Sequence, residues 1–299
     1  MYKTHFGLRE LPFGLTPDTS FFLACSNYQE ALNTLLIAAK NGEGFIKIAG
    51  EVGVGKTLLC RKFMASLDKS FVTAYIPNPY LEPRSLMMAL ADELSIQLKK
   101  DVDQHQLLKS INHRLLVLAR EGKRVLLCLD EAQAMPVETL EALRLLTNLE
   151  TGKRKLLQIV MFGQPELDRK LQQESIRQLN QRIAFHYYLG PLTKDDMESY
   201  VSHRLSVAGF TGSRLFDRTA LKALYKASTG IPRLVNILAH KALMLAYGEG
   251  KHEISARHVQ AAASDTDAAK RRPWPWVWAS FAALSLLAAG TSVGWAYFK

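Results

Sequence analysis

In AGEVGVGKTLLC (residues 49–60), three glycines, a lysine and a threonine crowd between two apolar runs. The segment Gly50-Glu51-Val52-Gly53-Val54-Gly55-Lys56-Thr57 fits the G-x-x-x-x-G-K-[ST] pattern without a gap. Glycines permit backbone turns closed to other residues, so successive N–H groups can curl around an anion. A helix beginning at the lysine adds its unpaired donors and its dipole. The short apolar run GFIKIAG before the loop suits a buried strand, and TLLCRKFMASL after it has helical spacing. The expected nucleotide-binding set is Gly50, Glu51, Val52, Gly53, Val54, Gly55, Lys56, Thr57 and Leu58. Lys56 is placed to bridge the β- and γ-phosphates of ATP, and the Thr57 hydroxyl to hold Mg²⁺.

The second chemical feature is RVLLCLDEA, an apolar run ending in Asp130-Glu131. By itself an acidic pair after a strand is often a solvated turn. Joined to a phosphate loop it completes one Mg·ATP site, with Asp130 on the metal and Glu131 orienting the attacking water.

Around these motifs, strand-like and helical runs alternate from Gly50 to Pro191. SFVTAYIPN, RVLLCLDEAQ, KLLQIVMFGQ and AFHYYLGPL read as strands; PRSLMMALADELSI, DQHQLLKSINHRLLVLAREG and VETLEALRLLTNLE read as helices. The alternation predicts an α/β fold with a parallel sheet covered on both faces, binding its ligand at the carboxyl edge. From Thr193 to about Asp265 strand signals cease, and breaks at GFTGS, STGIP and GEGKHEIS leave four helices, a small second domain. The expected divisions are 1–40 as an opening segment of the ATPase module, 41–192 as the α/β domain and 193–265 as a helical lid. A basic linker follows at 266–276.

The composition then changes. WPWVWASFAALSLLAAGTSVGWAYF (residues 274–298) holds no charge, and residues 277–298 number 22, enough to cross a hydrocarbon core of roughly 30 Å. Trp274, Trp276 and Trp278 at one end and Trp295, Tyr297 and Phe298 at the other resemble interfacial belts, with Lys270, Arg271 and Arg272 just outside. A single transmembrane helix is expected there, holding the large N-terminal part on the cytoplasmic side; a buried C-terminal core helix is the alternative. The opening MYKTHFGLRELPFG lacks an apolar run of signal-peptide length, so no leader is expected. Thirty-eight basic against twenty-eight acidic residues leave a formal charge of +10. That excess favours phosphate, nucleic acid or an anionic membrane without choosing among them. Cys25, Cys60 and Cys128 form no C-x-x-C pair and read as reduced packing residues.

In GEVGVGKTLLCRKF, LCLDEAQ, GQPEL, RQLNQRI and GIPRLVN, taken in that order with the opening HFGLRELPFGLTPDTSFF, the chain resembles the ExeA/GspA-type AAA+ ATPases over residues 1 to about 265. That group assists bacterial type II secretion and related type IV pili, and the branch serving the mannose-sensitive haemagglutinin (MSHA) pilus is the most similar. The resemblance implies a P-loop AAA+ domain with a helical lid, working as a homo-oligomer with inner-membrane pilus or secretion proteins as partners, and it makes the membrane of the expected span a bacterial inner membrane. It puts Gln164 at the sensor-1 position, Arg182 at the arginine finger that reaches a neighbour's ATP, and Arg233 at sensor 2 on the lid. Arg177 is a second finger candidate. Read without the family, Gln164 is equally a polar strand end, Arg182 or Arg177 a basic helix end at the surface, and Arg233 part of a helix-start Pro-Arg pair. Phe13 and Pro17 stand near the adenine or in ordinary core packing. Many members continue past the span into a peptidoglycan-binding domain, whereas this sequence stops at Lys299, so direct cell-wall binding is not implied. Two other functions compete: a DNA-associated helper ATPase of transposition or replication, and a nucleotide-gated scaffold with negligible turnover. A membrane span argues against the first, as does the lack of a helix-turn-helix or basic stripe, and nucleic acid is not an expected partner. Glu131 argues against the second.

Overall fold

The computed structural model describes residues 2–99, 101–147, 149–151 and 154–269. In chain order, the helices are α1 (Tyr2–His5), α2 (Ser26–Asn41), α3 (Lys56–Ala65), α4 (Pro83–Glu93), α5 (Gln104–Arg120), α6 (Val137–Leu146), α7 (Pro165–Leu171), α8 (Arg177–Asn180), α9 (Lys194–Val207), α10 (Arg218–Ser228), α11 (Pro232–Gly248) and α12 (Ala256–Ser264). The strands are β1 (Phe45–Ala49), β2 (Phe71–Ile76), β3 (Arg124–Leu129), β4 (Glu150–Thr151), β5 (Arg154–Lys155), β6 (Leu157–Gly163) and β7 (Ile183–Tyr188).

Five strands form one parallel sheet in the order β2-β3-β6-β1-β7. Every residue of β1 and β6 is buried, because helices cover both faces and the strands need no polar alternation. Edge strand β7 instead alternates half-buried and exposed residues. The sheet divides the apolar interior. Ile46, Ile48, Leu126, Cys128, Val160 and Phe162 face α2 and α3, while Phe45, Leu127, Leu129, Ile159 and Met161 face the side of α4, α5 and α6. Lys47 is the charged exception within β1, and it is paired with Asp168 of α7. The pairing of Ala49 with Gly163, and of Leu129 with Met161, brings the ends of β1, β3 and β6 together at one edge. Gly50, Asp130 and Gln164 follow directly on those three ends.

Helices α9 to α12 make the second layer. Thr193 caps α9 by accepting from the Asp196 N–H (3.2 Å), and Asp217 caps α10 by accepting from that of Ala220 (2.6 Å). The opening segment is shared between the two layers. Helix α1 docks on α11, and the Arg9 N–H donates to the Ala208 carbonyl at the end of α9 (2.8 Å), whereas α2 lies against α3, β1 and β7. The antiparallel pair β4–β5 has no counterpart in the sequence reading; it is too brief for periodicity to show. The span expected at 277–298 lies outside the described residues. Among the described residues, no helix is long and apolar enough to cross a membrane.

Candidate nucleotide site

The phosphate loop closes over the carboxyl edge of the sheet. Gly53 and Gly55 both have positive φ, +83° and +95°, which turns the loop back on itself before α3 begins. The Gly50 N–H is tied to the Gly163 carbonyl at 3.1 Å, and the Tyr28 hydroxyl of α2 donates to the Val54 carbonyl from behind. Lys56 is 5% exposed and donates to the carbonyls of Gly50 (2.8 Å) and Glu51 (3.0 Å). Burial lowers its pKa, and the nearby carboxylates of Glu131 and Asp130 oppose that shift.

Across the edge, Asp130 Oδ2 accepts from the Thr57 hydroxyl at 2.6 Å and lies 3.4 Å from the Tyr75 hydroxyl. Asp130 is 2% exposed, and burial raises its pKa against the hydrogen bonds from Thr57 and the Glu131 N–H. Two hard oxygen donors thus stand side by side, one a buried carboxylate short of positive charge. That donor set fits Mg²⁺. Glu131 faces the pocket, and its Oε2 accepts from the Gln164 amide at 3.0 Å and from the Gln133 amide. Gln164 therefore reaches the Glu131 carboxylate directly.

The pocket so formed has a volume of about 310 Å³. Val52, Gly53, Gly55, Lys56, Thr57, Leu58 and Glu131 line one end; Gly50, Glu51 and Val54, expected with them, are not among the lining residues. Arg233 lines it from the start of α11, where its backbone N–H donates to the Gly53 carbonyl at 3.1 Å. Pro17 lines it as well. Phe13 does not: it is 2% exposed and packs edge-on against Phe216, 6.0 Å between ring centres, which resolves that residue as core. Arg182 lies away from this pocket, half-buried, with its guanidinium donating to the Arg144 carbonyl and the Thr147 hydroxyl, both at 3.2 Å. Arg177 is exposed on α8.

The far end of the pocket holds residues to which the sequence assigned no site role: Gly14, Leu15, Thr16 and Asp18 from the opening segment, Tyr200 and Arg204 of α9, and Asn236 of α11. Arg204 is 5% exposed. It donates to the Pro12 carbonyl, to the Tyr200 hydroxyl (2.9 Å) and to the Gly14 carbonyl (3.3 Å), and its guanidinium lies 4.5 Å from the centre of the Phe21 ring. Tyr200 donates in turn to Asn236 (3.0 Å). The sequence signal for these residues was slight, an arginine within the apolar spacing of an amphipathic helix.

A glycine-rich loop after the sheet's second-to-last strand, a Thr–Asp oxygen pair and a lid arginine on the loop define a P-loop protein of the AAA+ class. Comparison with known proteins agrees. Residues 39–171 match the family described as an AAA domain. The whole chain aligns at 40% identity with the general secretion pathway protein A of Aeromonas hydrophila, spanning 54% of that protein's length. Among solved structures, Cdc6p of Pyrobaculum aerophilum superposes with a TM-score of 0.65 at 18% identity, over 84% of this chain and 71% of that one. The Aeropyrum pernix ORC2 protein does so with a TM-score of 0.60 at 16% identity, over 86% and 73%. These two likenesses concern the fold alone. The chain is an AAA+ protein of the ExeA/GspA type.

Proposed function

We propose that the protein binds Mg·ATP in this pocket and hydrolyses it to drive assembly of a cell-envelope apparatus, a type II secretion system or an MSHA-like type IV pilus. The observation that carries the hydrolytic reading is the meeting of Thr57, Asp130, Glu131 and Gln164 within one hydrogen-bonded group at the sheet edge. The backbone of Gly53 to Thr57 and the Lys56 ammonium bind and orient the triphosphate. Thr57 and Asp130 hold Mg²⁺, which neutralises phosphate charge when bound. Glu131 orients a water in line with the γ-phosphorus and takes its proton as the bond to the β-bridging oxygen breaks, leaving ADP and phosphate. Gln164 steadies the Glu131 carboxylate and, through it, the attacking water. Arg233 couples the lid to the loop it touches. Arg182, or Arg177 beside it, is the group offered to a neighbour's ATP in a homo-oligomer. The charge-free segment at 277–298 tethers the assembly to the inner membrane, with the domain in the cytoplasm and its partners in that membrane.

Turnover and nucleotide binding of the full chain in two variants test this reading. Lys56→Ala loses binding and activity together. Glu131→Gln keeps ATP bound while turnover falls at least about a hundredfold, the scale of a lost transition-state group. Equal loss of binding in both would rule out the division of roles.

A further inference from the structure

We propose that Gln133 is the positioning residue for Glu131: one side-chain amide ties that carboxylate to the end of β6 and selects which of its oxygens receives the water. The inference rests on the reading of Glu131 as the water-orienting group, and it concerns how that group is held.

Glu131 needs holding. Its backbone sits in the left-handed region (φ 53°, ψ 39°), uncommon for a residue of this kind, at the head of the tight turn closed by the Ala134 N–H on the Glu131 carbonyl (2.9 Å). Its side chain has several torsions and projects into a pocket. Gln133 lies on that turn and makes two bonds with one amide. Its Nε2 donates to Glu131 Oε2, and its Oε1 accepts from the backbone N–H of Gln164 at 3.0 Å. Gln164 then donates its own Nε2 to the same Glu131 oxygen at 3.0 Å. The result is a closed ring of three hydrogen bonds joining the turn after β3 to the end of β6.

The ring is itself anchored. Lys170 of α7 donates to the carbonyls of Gln133 (2.6 Å) and Met135 (2.8 Å), fixing the turn from below. Gly163 lets α7 lie close beneath the ring: a Cβ there would meet Gln133 Oε1 at an ordinary 3.4 Å but Leu167 Cδ2 at only 2.7 Å.

The chemical consequence follows from lone-pair counting. A carboxylate offers about four acceptor positions over two oxygens. Two amide donors on Oε2 leave Oε1 open for the water and its proton. Free rotation of the carboxylate would exchange the two oxygens and swing both off line, and small misplacements of a reacting group cost up to about a hundredfold in rate. Gln133 does not line the pocket, so it acts on the nucleotide through Glu131 alone.

The experiment is steady-state turnover and nucleotide binding of the full chain as Gln133→Met, Gln133→Glu, Glu131→Gln and the double variant Glu131→Gln/Gln133→Met. Gln133→Met, similar in size and without amide donors, lowers kcat about 10- to 100-fold with KM and nucleotide affinity within about twofold. The double variant is no slower than Glu131→Gln alone, because the second change has nothing left to position. Gln133→Glu sets two carboxylates together at neutral pH and loses more than Gln133→Met. Part of its activity returns relative to the unmodified chain as pH falls and the introduced carboxyl regains a proton to donate. Losses that multiply in the double variant, or a KM that rises in step with the fall in kcat, would mark Gln133 as a merely structural residue and overturn the inference. Normal turnover in Gln133→Met beside a slow Glu131→Gln overturns this inference alone. Normal turnover in Glu131→Gln overturns the reading of Glu131 and this inference with it.

Discussion

The two ends of the pocket are built on opposite plans. At the phosphate end, one short stretch from Val52 to Leu58 and the residues that follow β3 supply nearly everything. At the other end, the wall is gathered from the opening segment, α9 and α11, and is held by Arg204, which binds carbonyls of Pro12 and Gly14. A phosphate is gripped by backbone N–H groups, so its site must be written in contiguous residues of fixed conformation. A slot for a flat ring needs only shape and a few polar atoms, which separate segments can bring. The phosphate end is thus intolerant of small local changes, and the other end is tolerant in sequence but dependent on packing between layers.

Three substitutions sharpen that contrast. Gly53→Ala has the largest expected effect. The residue has φ +83°, and an added Cβ would lie 2.7 Å from the Cβ of Arg233, so strain and displacement of the lid combine. Nucleotide affinity, followed by fluorescence titration, falls roughly 30-fold or more, since each 1.4 kcal/mol of strain costs about tenfold. Next is Arg204→Met, which keeps bulk on Phe21 but abandons the carbonyls of Pro12 and Gly14. Affinity for ATP weakens about tenfold, the scale of a buried carbonyl left unpaired, while kcat at saturation stays within about twofold. A kcat that collapsed with affinity would show that the two ends are not separable.

The smallest effect is on stability. Burial raises the pKa of Asp130, so the folded chain holds that proton more tightly than the unfolded one. A group of this kind favours the fold at low pH, and its contribution is lost as pH rises through its folded pKa. Asp130→Asn removes that loss. Measured without nucleotide or Mg²⁺, its Tm at neutral pH rises by roughly 2 °C. The difference from the unmodified chain shrinks as pH falls toward the ordinary carboxylate range.

The parts legible in the sequence were those where one short stretch carries its own physics. The loop before α3, Glu131 after β3 and Arg233 at the start of α11 line one pocket, and the helices α9 to α12 are separated by GFTGS, STGIP and GEGKHEIS. Mostly apolar runs such as LQIVMFG announced their strands because both faces of the sheet are covered. Arg204 was invisible for the opposite reason. Its partners are backbone carbonyls some 190 positions away, and a carbonyl leaves no mark in a sequence. Gln133 sat in plain view within LCLDEAQ, yet only the fold shows that its amide meets both Glu131 and the end of β6. Phe13 was open to two readings, and its packing on Phe216 decided between them.

The bond from Arg233 to the Gly53 carbonyl makes α11 a lever with its fulcrum on the phosphate loop. That helix has 17 residues and is about 25 Å long. Its far half carries the opening helix: His240 is hydrogen-bonded to the Tyr2 hydroxyl at 2.8 Å, and Tyr247 packs edge-on against His5. A tilt of about 5° at the loop, too small to disturb the core, moves the distal end by about 2 Å. The first residues of the chain thereby become a pointer, and a label on α1 should report the state of a phosphate it never meets.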